Sequence, residues 1–282
     1  MSQKMSGRKL RDEKIDLFSQ KIIQYKAEGK RAPHLAVVLV GEDKASVTYV
    51  KNKHLACKKA GFTSSKYELD QDTTQTKLNA LIDHLNEDDD VDGILVQFPI
   101  PAHLNQQETI ERIWPTKDVD GLHPENVASL TLNKKGIVPC TPKGIIELLK
   151  KHQVQMSGKL AVVVGRSALV GRPASQLLSN EDATIVLCHS KTENLKALTQ
   201  MADILVVAIG RPLYITEDYL KPGAVLVDVG IHEIDDKIVG DCHPSAYSKA
   251  SKYTPVPGGV GPMTIASLLE NTLTTYEENY VK

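Results

Sequence analysis

Tyr49 and Lys53 stand four residues apart in a stretch of helical pattern, so both project from one helix face. A lysine held there and partly desolvated would have a lowered pKa and would serve as a general acid or base. Spacing alone favours a solvated helix lysine, which is the reading for Lys51, Lys58 and Lys59. Ala56 and Ala60 continue the stripe and would leave room for a ligand to approach. Gln97 ends an apolar run just before Pro99, and its amide offers both a donor and an acceptor. It would either meet a ligand at a strand's carboxyl end or tie down the proline turn. Asp118 and Asp120 share a loop with Gly121, where a carboxylate binds a ligand or closes an Asx turn.

A second constellation lies at residues 160–171. The apolar run Leu160–Val164 ends in Gly165, and Gly171 opens a helical pattern. Strand, tight turn and helix N-terminus are the parts that hold a dinucleotide phosphate. The run is not G-x-G-x-x-G, because Arg166 and Ser167 follow the first glycine. A dinucleotide site for NAD places an acid about 20 residues further on. Here the next strand ends in Cys188 and is followed by His189-Ser190-Lys191, with no carboxylate at its tip. A hydroxyl and cationic groups suit a 2′-phosphate, so with Arg166 the expected cofactor is NADP. The glycine pair also fits an ordinary strand–helix turn, and 203–210, an apolar strand closing on Gly210, fits either reading.

These residues need elements to position them. Leu10, Ile15, Phe18, Ile22 and Tyr25 recur at helical spacing before Gly29, and Leu35–Val40 reads as a buried strand. Ser46 is the expected N-cap of a helix to Ala60, stopped by Gly61. A weak strand at 67–69, a helix at 74–85 and a strand at 93–98 follow. Thr141 and Pro142 would start a helix at 143–151. Further strands fall at 160–164, 183–188, 203–208 and 225–229, and a last helix at 265–280. Alternating strands and helices give an α/β fold with parallel sheets.

Composition narrows the function. A net charge of −1 implies no general affinity for nucleic acid or an acidic membrane. Four scattered cysteines, Cys57, Cys140, Cys188 and Cys242, read as reduced thiols of a cytoplasmic protein. Cys242, His243 and His232 lack a third ligand at sensible spacing, so no metal is expected. Met1 to Glu13 is polar and mixed in charge, so no signal peptide is expected there, and no apolar run approaches a membrane span.

The pieces occur together in one family. Residues 49–53 (Tyr-Val-Lys-Asn-Lys), 92–101 (Asp-Gly-Ile-Leu-Val-Gln-Phe-Pro-Ile-Pro), 117–121 (Lys-Asp-Val-Asp-Gly), 139–144 (Pro-Cys-Thr-Pro-Lys-Gly), 164–173 (Val-Gly-Arg-Ser-Ala-Leu-Val-Gly-Arg-Pro) and 255–264 (Pro-Val-Pro-Gly-Gly-Val-Gly-Pro-Met-Thr) stand in family order. The chain closely resembles bacterial bifunctional methylenetetrahydrofolate dehydrogenase/methenyltetrahydrofolate cyclohydrolase. The resemblance implies two α/β domains flanking a cleft. Residues 1–120 plus 265–282 would form the folate-binding catalytic domain, and 121–264 the Rossmann NADP-binding domain. It implies Lys53 as catalytic lysine, Tyr49 as its folate-orienting neighbour, Gln97 as the partner of Lys53, and Asp120 as the acid that binds the pterin. Val96, Phe98, Pro257, Gly258, Gly259, Val260 and Gly261 would complete the folate site. Gly165, Arg166, Ser167, Ser190 and Ile231 would hold NADP. A homodimer working on tetrahydrofolate derivatives is also implied. Two departures stand out, Cys242-His243-Pro244 where a more acidic segment is usual, and Leu55 where a lysine is; altered local packing is expected.

The implied reaction is oxidation of 5,10-methylenetetrahydrofolate with NADP+, followed by hydrolysis of the methenyl product to 10-formyltetrahydrofolate. The alternatives are a monofunctional NAD(P)-dependent methylenetetrahydrofolate dehydrogenase, an NADP enzyme for another substrate such as a shikimate-type hydroxy acid, and an inactive NADP-binding module.

Overall fold

The computed structural model describes residues 2–281, the side chains of residues 44, 45 and 48 excepted. In chain order, β1 (Gln3–Lys4), α1 (Gly7–Ala27), β2 (His34–Val40), α2 (Lys44–Ala60), β3 (Thr63–Leu69), α3 (Gln75–Glu87) and β4 (Gly93–Val96) make up the first third. Helices α4 (Gln106–Arg112), α5 (Pro124–Thr131) and α6 (Cys140–Lys151) lead to β5 (Leu160–Val164), α7 (Gly171–Asn180), β6 (Thr184–Cys188) and α8 (Leu195–Thr199). The last part holds β7 (Ile204–Val207), β8 (Val225–Asp228), β9 (His232–Ile234), β10 (Lys237–Val239), α9 (Pro244–Lys249), β11 (Lys252–Tyr253) and α10 (Val260–Tyr276).

By its contacts the chain divides into two units, Asp12–Cys140 with Ile265–Lys282, and Met1–Arg11 with Thr141–Thr264. The grouping differs from the expected boundary at 120 in two places. Met1–Arg11 groups with the later unit because β1 pairs with β11, Gln3 against Lys252. Residues 121–140 group with the earlier one, where Asn271 donates to the carbonyls of both Val119 and Val138 at 2.9 Å.

The unit containing 12–140 is built on a parallel sheet in the order β3-β2-β4. Strand period 2 sorts β2 onto two cores. Leu35, Val37 and Leu39 join Ile15, Phe18 and Ile22 of α1 and Ile265, Leu268, Leu269 and Leu273 of α10. Ala36, Val38 and Val40 join Leu78, Ile82 and Leu85 of α3. Burial on both faces is why β2 reads as a continuous apolar run. Gln97 follows the carboxyl end of β4, and its N–H donates to the Val38 carbonyl at 2.8 Å.

The other unit carries a six-stranded parallel sheet in the order β1-β11-β8-β7-β5-β6. The chain leaves β5 for β6 on one side and returns to β7 on the other. That reversal is the topological switch point at which such sheets hold ligands, outside the strands' carboxyl ends. β9 and β10 form an antiparallel hairpin turned by Asp235 and Asp236, both in the left-handed region.

Several boundaries move. Asp43, not Ser46, caps α2: its Oδ1 accepts from Ser46 N–H at 2.8 Å, while Gly61 ends the helix at φ +82° as expected. Helix α6 begins at Cys140, so Pro142 lies in its first turn, where no helical N–H is lost. The final helix starts at Val260, five residues earlier than the pattern suggested, because Gly261 and Pro262 of its first turn interrupt the apolar period.

Candidate active site and dinucleotide turn

Helix α2 brings Lys53 inward, leaving it 5 % exposed, while Lys51, Lys58 and Lys59 face solvent. Ala56, Cys57 and Ala60 lie in the hydrophobic core, so the small side chains of this stripe let the helix pack and do not open a path to a ligand. The Lys53 ammonium sits 4.6 Å from the centre of the Tyr49 ring, the i, i+4 neighbour. Its Nζ donates to Gln97 Oε1 at 2.9 Å. The Gln97 amide is itself oriented, since Nε2 donates to the Phe98 carbonyl at 2.6 Å. Burial pushes the Lys53 pKa below the ordinary lysine range, against the opposing charge of Asp120 and smaller contributions from Cys140 and Cys57.

Residues 117–121 divide their labour. Lys117 is buried and its ammonium donates to the carbonyls of Leu85, Asn86 and Asp88 at the end of α3, where a helix's negative pole welcomes a cation. Asp118 is also buried, and its carboxylate accepts from Gly121 N–H at 3.1 Å, His123 N–H at 2.7 Å and the Asn126 amide at 2.9 Å. It does the turn chemistry. Val119 is fully buried, and Gly121 takes φ +73° where a Cβ would lie 2.6 Å from Pro139 N. Asp120 is the one left over. It keeps part of its surface accessible, yet its enclosure by protein raises its pKa above the usual carboxylate range, against the charge of Lys53. Tyr49, Lys53, Gln97 and Asp120 thus share one site, with Val96 buried and Phe98 half-buried beside Gln97.

The dinucleotide turn stands in the other unit. Gly165 takes φ +118°, and a Cβ there would lie 2.0 Å from the Ala208 carbonyl. A Cβ on Gly171 would lie 1.9 Å from the Gly165 carbonyl. Both glycines are needed for the β5 turn, the β7 end and the start of α7 to close together. Ser167 Oγ accepts from Val170 N–H at 3.2 Å and more weakly from Gly171 N–H at 3.4 Å. Arg166 and Ser190 are exposed at the carboxyl ends of β5 and β6. A narrow backbone cradle, a helix N-terminus and flanking hydroxyl and guanidinium groups fit a dinucleotide phosphate.

The 254–264 segment belongs to the same unit as that turn. The Gly258 carbonyl accepts from the first N–H groups of α1, Gly7 at 2.9 Å and Arg8 at 3.2 Å. Gly258 itself takes φ +105°, and Gly259 is packed so that a Cβ would lie 2.6 Å from the Pro255 carbonyl. Pro257 is exposed, Val260 buried. A Cβ on Gly261 would lie 3.2 Å from Ile231 Cδ1, so the exposed Ile231 side chain neighbours this segment.

Comparison with known proteins decides the family. Residues 5–120 match the model for the tetrahydrofolate dehydrogenase/cyclohydrolase catalytic domain, and 139–280 that for its NAD(P)-binding domain. The chain belongs to the tetrahydrofolate dehydrogenase/cyclohydrolase family. It is 53 % identical to the bifunctional protein FolD of Campylobacter curvus over 86 % of this chain and 84 % of that one. Among solved structures it is similar to the bifunctional FolD of Campylobacter jejuni, at 44 % identity and TM-score 0.96 over 99 % of both chains. It is similar too to the Trypanosoma brucei enzyme complexed with NADP cofactor and inhibitor, at 35 % identity and TM-score 0.94 over 98 % of both. The chain is an α/β enzyme of this family with both of its domains.

Other residues of this family member emerge only from the structure. Asp228, fully buried, accepts from Gly230, Asp241 and Cys242 N–H and from the Tyr247 hydroxyl at 2.7–3.1 Å. Asp241, also fully buried, accepts from the N–H groups of Ile209, Gly210 and Arg211 and pairs with His232 Nε2 at 2.8 Å. It fixes the loop after β7 beside Gly165. The Cys242-His243-Pro244 departure is absorbed locally: Cys242 is core, His243 Nδ1 accepts from Ser245 N–H at 3.2 Å, and Pro244 starts α9. Among the described residues no group of three His, Cys, Asp or Glu is placed to hold a metal, and no helix is long and apolar enough to cross a membrane.

Proposed function

We propose that this chain oxidises 5,10-methylenetetrahydrofolate with NADP+ and then hydrolyses the methenyl cation to 10-formyltetrahydrofolate, with Lys53 as the group that moves the proton. When bound, NADP+ accepts the hydride from the methylene carbon. Gly165, Ser167 and the α7 N-terminus would bind its diphosphate, and Arg166 with Ser190 its 2′-phosphate. Asp120 would accept paired hydrogen bonds from the pterin amino and ring N–H groups, fixing the folate. As a free amine, Lys53 takes a proton from the water that attacks the cationic carbon. As an ammonium it returns that proton to N5 while the C–N5 bond breaks, and the remaining hydroxyl proton leaves as the formyl C=O forms. Gln97 holds Nζ by one acceptor, and the Tyr49 ring steadies the charged form.

The observation that carries this reading is a lysine 5 % exposed whose Nζ is 2.9 Å from an oriented amide oxygen and whose charge is opposed by Asp120. A dehydrogenase alone has no need of a desolvated proton carrier, which favours the bifunctional reading over the monofunctional one. The test mixes enzyme with 5,10-methylenetetrahydrofolate and either NADP+ or NAD+, following reduced nicotinamide and the methenyl species at separate wavelengths. The reading expects faster reduction with NADP+ and enzyme-dependent loss of added methenyltetrahydrofolate. Reduction without that loss would leave the monofunctional enzyme. A cytoplasmic homodimer is part of the proposal, and sedimentation velocity of the purified chain checks the dimer.

A further inference from the structure

Asn271 lies in the middle of α10 among Leu268, Leu269 and Leu273, and is 1 % exposed. An amide in such a place costs stability unless its donors are met. Its Nδ2 reaches two backbone carbonyls from separate segments, Val119 and Val138, each at 2.9 Å, and lies 3.6 Å from Cys140 Sγ. The Cys140 thiol in turn donates to the Val119 carbonyl at 3.3 Å. The two segments are pressed together two residues further on, where a Cβ on Gly121 would lie 2.7 Å from the Val138 carbonyl carbon. Two carbonyl dipoles that converge on one point repel each other, and the amide between them removes that repulsion. Asp120 is the residue held between Val119 and Gly121.

We propose that Asn271 is a positioning residue for the hydrolytic step, clamping the segment before Asp120 against 138–140 and so holding the Asp120 carboxylate in place opposite Lys53. This rests on the proposed roles of Lys53 and Asp120. The groups that face Lys53 are Asp120, Cys140, Cys57, the Tyr49 ring and the Gln97 amide; those that face Asp120 are Lys53, Asp118 and Cys140. Without the amide the Val138 carbonyl loses this donor and the Val119 carbonyl keeps only the Cys140 thiol, so the segments part and the carboxylate shifts away from the lysine. The ammonium then loses part of its counter-charge, and Lys53 gives up its proton at lower pH.

The test is the pH–rate profile of methenyltetrahydrofolate hydrolysis by Asn271→Leu, which keeps the branched shape and removes the donor. The rising limb is expected to move to lower pH by on the order of one unit, the size of effect an opposite charge a few ångströms away exerts. KM for the folate rises, and the Kd for NADP+ does not change. In an Asp120→Asn background the same substitution should move the limb no further, because the carboxylate through which it acts is gone. A limb and KM unchanged in folded Asn271→Leu, or a shift that adds fully to that of Asp120→Asn, would overturn the proposal. If the leucine variant does not fold, Asn271→Ser, smaller and with one donor, is read by the same profile and cycle. Wild-type enzyme without hydrolase activity would instead overturn the functional reading itself.

Discussion

Asp120 and Asp228 are both enclosed carboxylates, and burial pushes the pKa of each upward. Their surroundings differ. Asp228 is met by three backbone N–H groups and the Tyr247 hydroxyl, and its neighbour Asp241 is met by three more and by His232. Such saturated carboxylates tie loops together and have nothing left to offer a ligand. Asp120, among the described residues, answers to the Cys140 thiol and the charge of Lys53, which leaves acceptor capacity facing outward. Lys53 is likewise desolvated, and among the described residues its Nζ donates to one amide oxygen. Burial alone therefore does not mark a reactive group; burial with hydrogen-bonding capacity to spare does.

The contrast breaks cleanly under substitution. Lys53→Met should cut methenyltetrahydrofolate hydrolysis about 10²- to 10⁴-fold, the usual worth of a general acid or base, while the Kd for NADP+ holds. The same change should stabilise the protein. Because the folded-state pKa of Lys53 is depressed by burial, the wild type binds fewer protons folded than unfolded between that pKa and about 10.4. Its stability therefore climbs with pH across that window and falls as pH drops through the folded pKa. The methionine variant lacks this slope, so its advantage in urea unfolding is largest on the acid side and vanishes near the upper end. Equal or lower stability at neutral pH would put Lys53 with the saturated groups.

Asp228→Asn should do the reverse. An amide offers fewer acceptor sites to four donors and points its own N–H groups at some of them, so about 3 kcal/mol of stability should be lost. Hydrolysis per folded molecule should change little, as titration of active enzyme against folded fraction would show. A loss of hydrolysis far beyond the loss of folded protein would mean that saturation does not make a carboxylate merely structural. The smallest effect belongs to the exposed rim of the cofactor turn. Arg166→Gln should weaken NADP+ several-fold, in keeping with about 1 kcal/mol for a solvent-exposed charge pair, and leave NAD+ unchanged. Equal weakening of both nucleotides would show that Arg166 contacts the diphosphate they share.

Much of this was legible in the residues. The continuous apolar run of β2, the Gly61 stop and the β5–Gly165–α7 turn are local patterns, and a local pattern survives in sequence. Lys53 and Gln97 were legible as candidates, but the 2.9 Å bond across 44 residues was not, because spacing says nothing of what a side chain meets. Two aspartates two residues apart looked equivalent until the backbone showed Asp118 spent on Gly121, His123 and Asn126. Asn271 carried no signal, since a polar residue in an apolar helix period usually marks the solvent face. Its partners lie 152 and 133 residues away. The Ala56 and Ala60 stripe read as open space and proved to be core, because small residues serve close helix packing as well as ligand access.

The central claim is that Lys53, buried on a helix where Lys51, Lys58 and Lys59 face solvent, is a desolvated proton carrier. Carbon-13 labelling of the lysine ε-carbons, with Lys53 assigned from the spectrum of Lys53→Met, follows it through a pH titration. The Lys53 resonance is expected to titrate below the ordinary lysine value of about 10.4. A Lys53 resonance that titrates at or above that value would contradict the claim.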